Sequence, residues 1–246
     1  MLAMIRSEFR KLGTVRGPWL LLAAGPLLVV AGICGLAESG GNLASPATQV
    51  KAFGHVGLAA LVTLVFGMLA VAGEYRYGGI TDTFLSFPRR GRILAAKLAV
   101  YGLAGAAAGL AAAVTAIGTT AAWCAARNDP FHLWSAGSWR TIAGGVAVNI
   151  AFAVIGTGLG ALIRNLAIAV AVALAWIAVI EGIAGQLLGA GLARWLPFGA
   201  SEALGRASLF GAGRLLPQWG GGLVLLGYAG VFAAAAVLST LGRDVT

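Results

Sequence analysis

Apolar residues in this chain come in long runs broken by short polar stretches. Trp19 to Ala37 carries no charge, and Phe53 to Ala72 has only His55 near its start. No charged residue falls between Lys97 and Arg127. Further runs extend from Thr141 to Ile163, from Leu166 onward, and from Leu223 to Leu241. A helix rising 1.5 Å per residue needs about 20 apolar residues to cross a hydrocarbon core of roughly 30 Å. The pattern therefore predicts an all-α membrane protein with six transmembrane helices, at about 18–37, 53–73, 94–125, 139–163, 166–190 and 220–242. Residues 18–246 form a single transmembrane domain in this reading.

The first residues show a different period. Leu2, Ile5, Phe9 and Leu12 recur at helical spacing, and Arg6, Glu8, Arg10 and Lys11 are assigned to the other flank. This predicts an amphipathic helix over 1–17 lying in the membrane plane, its apolar face in the acyl boundary. Gly17-Pro18 breaks it before the first span. A signal peptide is the competing reading, but the apolar stretch is longer than a usual h-region.

Composition narrows the class. The 246 residues are 59% hydrophobic and only 10% charged, with mean hydropathy +0.91, which is too little charge to coat a soluble domain or keep a chain disordered. The net charge of +9 is scattered between apolar runs, which favours anionic lipid over nucleic acid as its partner. With six spans, eleven of the 17 basic residues fall on the side of the two termini, so that side is assigned to the cytoplasm. Trp123, Trp134, Trp139, Trp195 and Trp219 then gather at the outer face, with Trp19 at the inner one.

The loop from Gly73 to Arg92 is the most informative polar stretch. Gly78-Gly79 interrupts the helix leaving the second span, Thr81 or Asp82 can cap a short new helix, and Pro88 stops it. Ile80, Phe84 and Phe87 share one face of that helix. Such a face fits either the bilayer surface or a groove on another protein, and spacing alone leaves both open.

The run Gly73-Glu74-Tyr75-Arg76, the following Gly79-Ile80, the Pro88-Arg89-Arg90 end and Ala96-Lys97-Leu98 resemble the loop between the second and third spans of bacterial ABC-2 type transporter permeases. Ser7-Glu8-Phe9-Arg10-Lys11-Leu12 and Leu196-Pro197-Phe198 resemble other parts of that family. The chain departs from the pattern at Gly79 and Asp82. The resemblance implies a type V exporter-like fold and a permease subunit of an ATP-driven exporter in the bacterial cytoplasmic membrane, with both termini cytoplasmic. It implies a separate ATP-binding subunit and a second permease copy, identical (a homodimer) or paralogous. It also makes the short helix a coupling helix: Glu74, Tyr75 and Arg76 at its hinge, and Ile80, Phe84, Leu85 and Phe87 toward the ATP-binding subunit. ATP and Mg would be held by that partner, with no cofactor in this chain. The substrate class is hydrophobic or amphiphilic.

Other chemistry is sparse. A P-loop lysine precedes Ser or Thr, whereas Lys11, Lys51 and Lys97 are followed by Leu, Ala and Leu. Glu181 is read as the one acid within a long apolar stretch, near the outer end of the fifth span. It is read as a wetted carboxylate, as an acid lining an exit path or re-entrant segment, or as a charge partner of Arg194. An intramembrane enzyme or a secondary transporter using Glu181 is the alternative function. His55, His132, Cys34 and Cys124 have no spacing that suggests a metal site.

Overall fold

The computed structural model describes residues 2–14, 16–76, 90–187, 190–206 and 215–242. Among them every regular element is helical. Helix α1 covers Leu2–Thr14, α2 Arg16–Glu38 and α3 Pro46–Gly54. A 3-10 turn at His55–Leu58 joins α3 to α4, Ala59–Arg76. Helices α5, Arg90–Arg127, and α6, Ala136–Ile163, are the longest. Helix α7, Leu166–Ala175, passes through a π-helical turn at Trp176–Glu181 into α8, Gly182–Leu187. Short helices α9, Ala190–Ala193, and α10, Pro197–Gly205, lead to α11, Gln218–Gly242.

Among the described residues, five helices are long and apolar enough to cross a membrane: Trp19–Glu38, Pro46–Arg76, Gly91–Arg127, Ala136–Ile163 and Gln218–Ser239. The fifth predicted span appears as a shorter apolar helix, Leu166–Glu181. The second span begins earlier than its apolar run indicates, because Pro46 sits at the first turn of α3 and the 3-10 turn carries the chain on into α4. Leu20, Leu27, Leu226 and Leu238 stay largely exposed on α2 and α11, as expected of surfaces solvated by lipid rather than water.

Helix α6 is the hub, packed against α4, α5 and α11. Its glycines let backbones approach. A Cβ at Gly156 would strike the Leu64 carbonyl of α4, and one at Gly160 would lie 2.6 Å from the Met68 oxygen. Gly105 of α5 faces Ala153 in the same way, at 2.7 Å. Local caps fix the ends of α6. The Ser135 hydroxyl accepts from the Ser138 N–H at the start, and Arg164 turns left-handed at the end, its N–H donating to Gly160 O. Asn165 then caps α7 by accepting from the Ile168 N–H at 3.2 Å.

Candidate functional site

Four charged side chains meet where α1 crosses the ends of α4 and α5. Lys97, seven positions into α5, is 1% exposed. Its ammonium donates to Glu8 Oε2 at 2.8 Å, to Glu74 Oε1 at 2.7 Å and to the Ala70 carbonyl at 3.1 Å. Lys11 donates to Glu8 Oε1 at 2.9 Å and to the same Glu74 Oε1 at 2.7 Å. Two carboxylates and two ammoniums thus balance in charge while largely withdrawn from water. That balance is the condition for burying them, since an isolated buried charge is costly. The second oxygen of Glu74 is buried without a hydrogen-bond partner among the described residues.

This arrangement corrects the assignment of faces on α1. Glu8 is 3% exposed and points inward, not toward the polar flank. It stands three positions after Ile5 and four before Leu12, so helical geometry puts all three on one side. Ile5 and Leu12 pack against a core that includes Phe66, Val100 and Tyr101, whereas Phe9 is about half exposed. The side chain of Leu2 lies outside the described residues. Trp19 Nε1 donates to the Leu12 carbonyl at 2.7 Å and fastens α1 to the start of the first span. Lys11 lies on α1, outside the spans. Burial pulls its ammonium down, but hydrogen bonds and charges from Glu74 and Glu8 outweigh that and hold it above the ordinary 10.5.

The hinge residues diverge into two places. Glu74 joins the charge cluster, while Tyr75 and Arg76 turn toward the connection between α6 and α7. The Arg164 guanidinium lies 5.2 Å from the Tyr75 ring centroid. Tyr75, Arg76, Arg164, Asn165, Leu166 and Ala167 line a cavity of about 460 Å³. Ile80, Phe84, Leu85 and Phe87 lie outside the described residues.

Glu181 closes the π-helical turn, and its carboxylate caps another helix. Both oxygens accept the Phe198 N–H, at 3.1 and 3.0 Å, and Oε1 also accepts from Trp176 Nε1 at 3.1 Å. Phe198 is the second residue of α10, so the acid occupies that helix's positive end. Phe198 stacks edge-on against Phe152 of α6 at 4.8 Å, which places the start of α10 beside the middle of a span. Below Glu181, an apolar cavity of about 110 Å³ is lined by Phe152, Val172, Trp176, Phe198, Tyr228 and Phe232, among others. Arg194, the charge partner expected from sequence, lies over the Trp195 ring at 5.8 Å.

Sequence reasoning passed over Lys97 and Glu8 as site residues. Their signal was position: Lys97 falls inside a predicted span, and Glu8 falls on the apolar stripe of α1. Cys34 and Cys124 are both free, and no group of three or more His, Cys, Asp or Glu positioned for a metal occurs among the described residues. No protein-family model matches the chain, and no curated protein matches it.

Proposed function

We propose that this chain is the permease subunit of an ATP-driven exporter of hydrophobic or amphiphilic substrates. In this reading six spans cross the membrane with both termini in the cytoplasm, and a separate ATP-binding subunit docks on the loop between α4 and α5. A second permease copy completes the pore. The observation that carries the reading is the charge cluster. Glu74 stands at the root of the loop where α4 ends, Lys97 near its other root in α5, and both are bonded to Glu8 of α1 or to Lys11 beside it. A displacement of the loop is thereby passed to two spans and the surface helix as one body. The three lysine contexts that exclude a P-loop leave ATP hydrolysis to the partner.

The alternative roles for Glu181 are less well supported. A general base or a proton carrier needs a carboxylate open to its substrate. Here both oxygens are engaged by backbone and indole N–H groups.

The test is co-expression with an ATP-binding subunit encoded beside this chain, followed by capture of the tagged permease. The pair is expected to purify together, and Phe84→Asp to abolish association while membrane insertion is retained. A pair that stays together in Phe84→Asp removes this loop as the dock. A cysteine introduced by Ser86→Cys is expected to react with an impermeant thiol reagent only from the cytoplasm; reaction from outside inverts the topology.

A further inference from the structure

We infer that the cavity between the end of α4 and the α6–α7 connection binds the phosphate of an anionic lipid headgroup. The cavity is lined by arginines from two elements, Arg76 at the end of α4 and Arg164 just past α6. Among the described residues that line it, none is acidic. A guanidinium presents a planar fork of N–H donors that suits phosphate oxygens, and two arginines line this one concave site. The Nε of Arg164 is buried and has no hydrogen-bond partner among the described residues. Stacking on Tyr75 fixes the plane of that guanidinium but satisfies none of its N–H groups. A phosphate oxygen supplies the acceptor.

Depth favours a lipid over a free phosphate. Arg140 lies near the start of α6 and Arg164 just past its end. Along a helix that separation is roughly 36 Å, a little more than the roughly 30 Å hydrocarbon core. Arg164 therefore sits at headgroup level when α6 spans the bilayer. The cavity also opens along an apolar track: Leu166 and Ala167 line it, and Ile168 and Val172 of α7 are exposed beyond them. An acyl chain lying on that track keeps its headgroup in the cavity. The inference needs a chain that spans a membrane and does not depend on the exporter reading.

Native mass spectrometry of the purified full chain in detergent tests the site, with palmitoyl-oleoyl phosphatidylglycerol as the probe. One lipid is expected to be retained per chain. Arg164→Gln and Arg76→Gln are each expected to weaken retention about fivefold, and Arg127→Gln, outside the cavity, to leave it unchanged. Arg164→Lys keeps the charge and loses the fork, so its retention should fall between wild type and Arg164→Gln. It also covers the case in which Arg164→Gln fails to fold. Phosphatidylcholine should be retained more weakly than phosphatidylglycerol, and inorganic phosphate at millimolar concentration should not displace the lipid. Displacement by inorganic phosphate would overturn the lipid as the source and leave a free-phosphate site. Unchanged retention in both Arg76→Gln and Arg164→Lys overturns the site. If the arginine variants lose the ATP-binding subunit but keep the lipid, the cavity is a protein contact and the inference is wrong.

Discussion

The Lys97 ammonium lies 2.8 Å from Glu8 Oε2, across 89 positions of sequence, with both side chains almost wholly buried. Helix α1 is therefore bonded to the buried side of α5 through an ion pair that water barely reaches. Replacing one partner leaves the other charge stranded. Lys97→Met is expected to destabilise the protein by on the order of 3–5 kcal/mol, seen as a lower melting temperature in detergent. The double variant Lys97→Met, Glu8→Gln should recover most of that loss, because the charges that remain, Lys11 and Glu74, still pair at 2.7 Å. A double variant no more stable than Lys97→Met alone would show that the ammonium matters for packing and not for its charge.

Lys11 adds a pH dependence whose sign follows from its raised pKa. Burial opposes its charged form, and Glu74 and Glu8 favour that form more strongly. A lysine held above its unfolded value of about 10.4 contributes stability that is fully present below that pH. The contribution disappears as pH rises through the folded value. Between pH 7 and 10 the melting temperatures of wild type and Lys11→Gln should differ by a constant amount. Above that range the gap should close as the wild-type ammonium is lost. A gap that widens with alkalinity would contradict the assignment. Lys11 is about a third exposed, so solvent screening keeps the whole effect modest.

Much of the fold was legible because a span announces itself by an uninterrupted apolar run, with no periodicity needed. The charge cluster was not legible, for a physical reason. Lys97 falls at the edge of the predicted third span, where a charge is expected to reach water, and only the approach of Glu8 and Glu74 makes its burial possible. Glu8 was misplaced by the same assumption, although its spacing from Ile5 and Leu12 put it on the inward stripe. The role of Glu181 depended on the chain returning through α9 to present the start of α10, and no local pattern encodes that return.

The glycines of α6 separate two kinds of Gly→Ala substitution. At Gly156 the added methyl meets the Leu64 backbone, which can yield only if α4 and α6 move apart. Gly156→Ala is expected to cost about 1–3 kcal/mol by overpacking. Gly118 of α5 and Gly227 of α11 have nothing within 4 Å of an added Cβ. Alanine there should be neutral or stabilising by up to about 1 kcal/mol through helix propensity. Thermal unfolding of the three variants under one detergent condition checks the order. If Gly156→Ala melts with Gly118→Ala, the close approach of α4 and α6 is wrong.

Glu181 is expected to act as a cap, and its variants should show it. Glu181→Ala removes the acceptor from the Phe198 N–H and the Trp176 indole together. The loss of a helix cap costs about 0.5–2 kcal/mol, and the freed N–H groups lie beside an apolar cavity where water is a poor substitute. Amide hydrogen exchange at Phe198 and Gly199 should quicken, since those N–H groups begin α10. Glu181→Gln retains one carbonyl acceptor but loses the charge that suits the positive end of the helix, so its exchange should fall between wild type and Glu181→Ala. Trp176 emission should shift in Glu181→Ala and be silent in the matched Trp176→Phe background. A cap predicts that exchange and emission change together in the order Ala, then Gln. If the proposed export activity is found and is lost in Glu181→Gln with wild-type exchange, the carboxylate is instead assigned to the transported molecule.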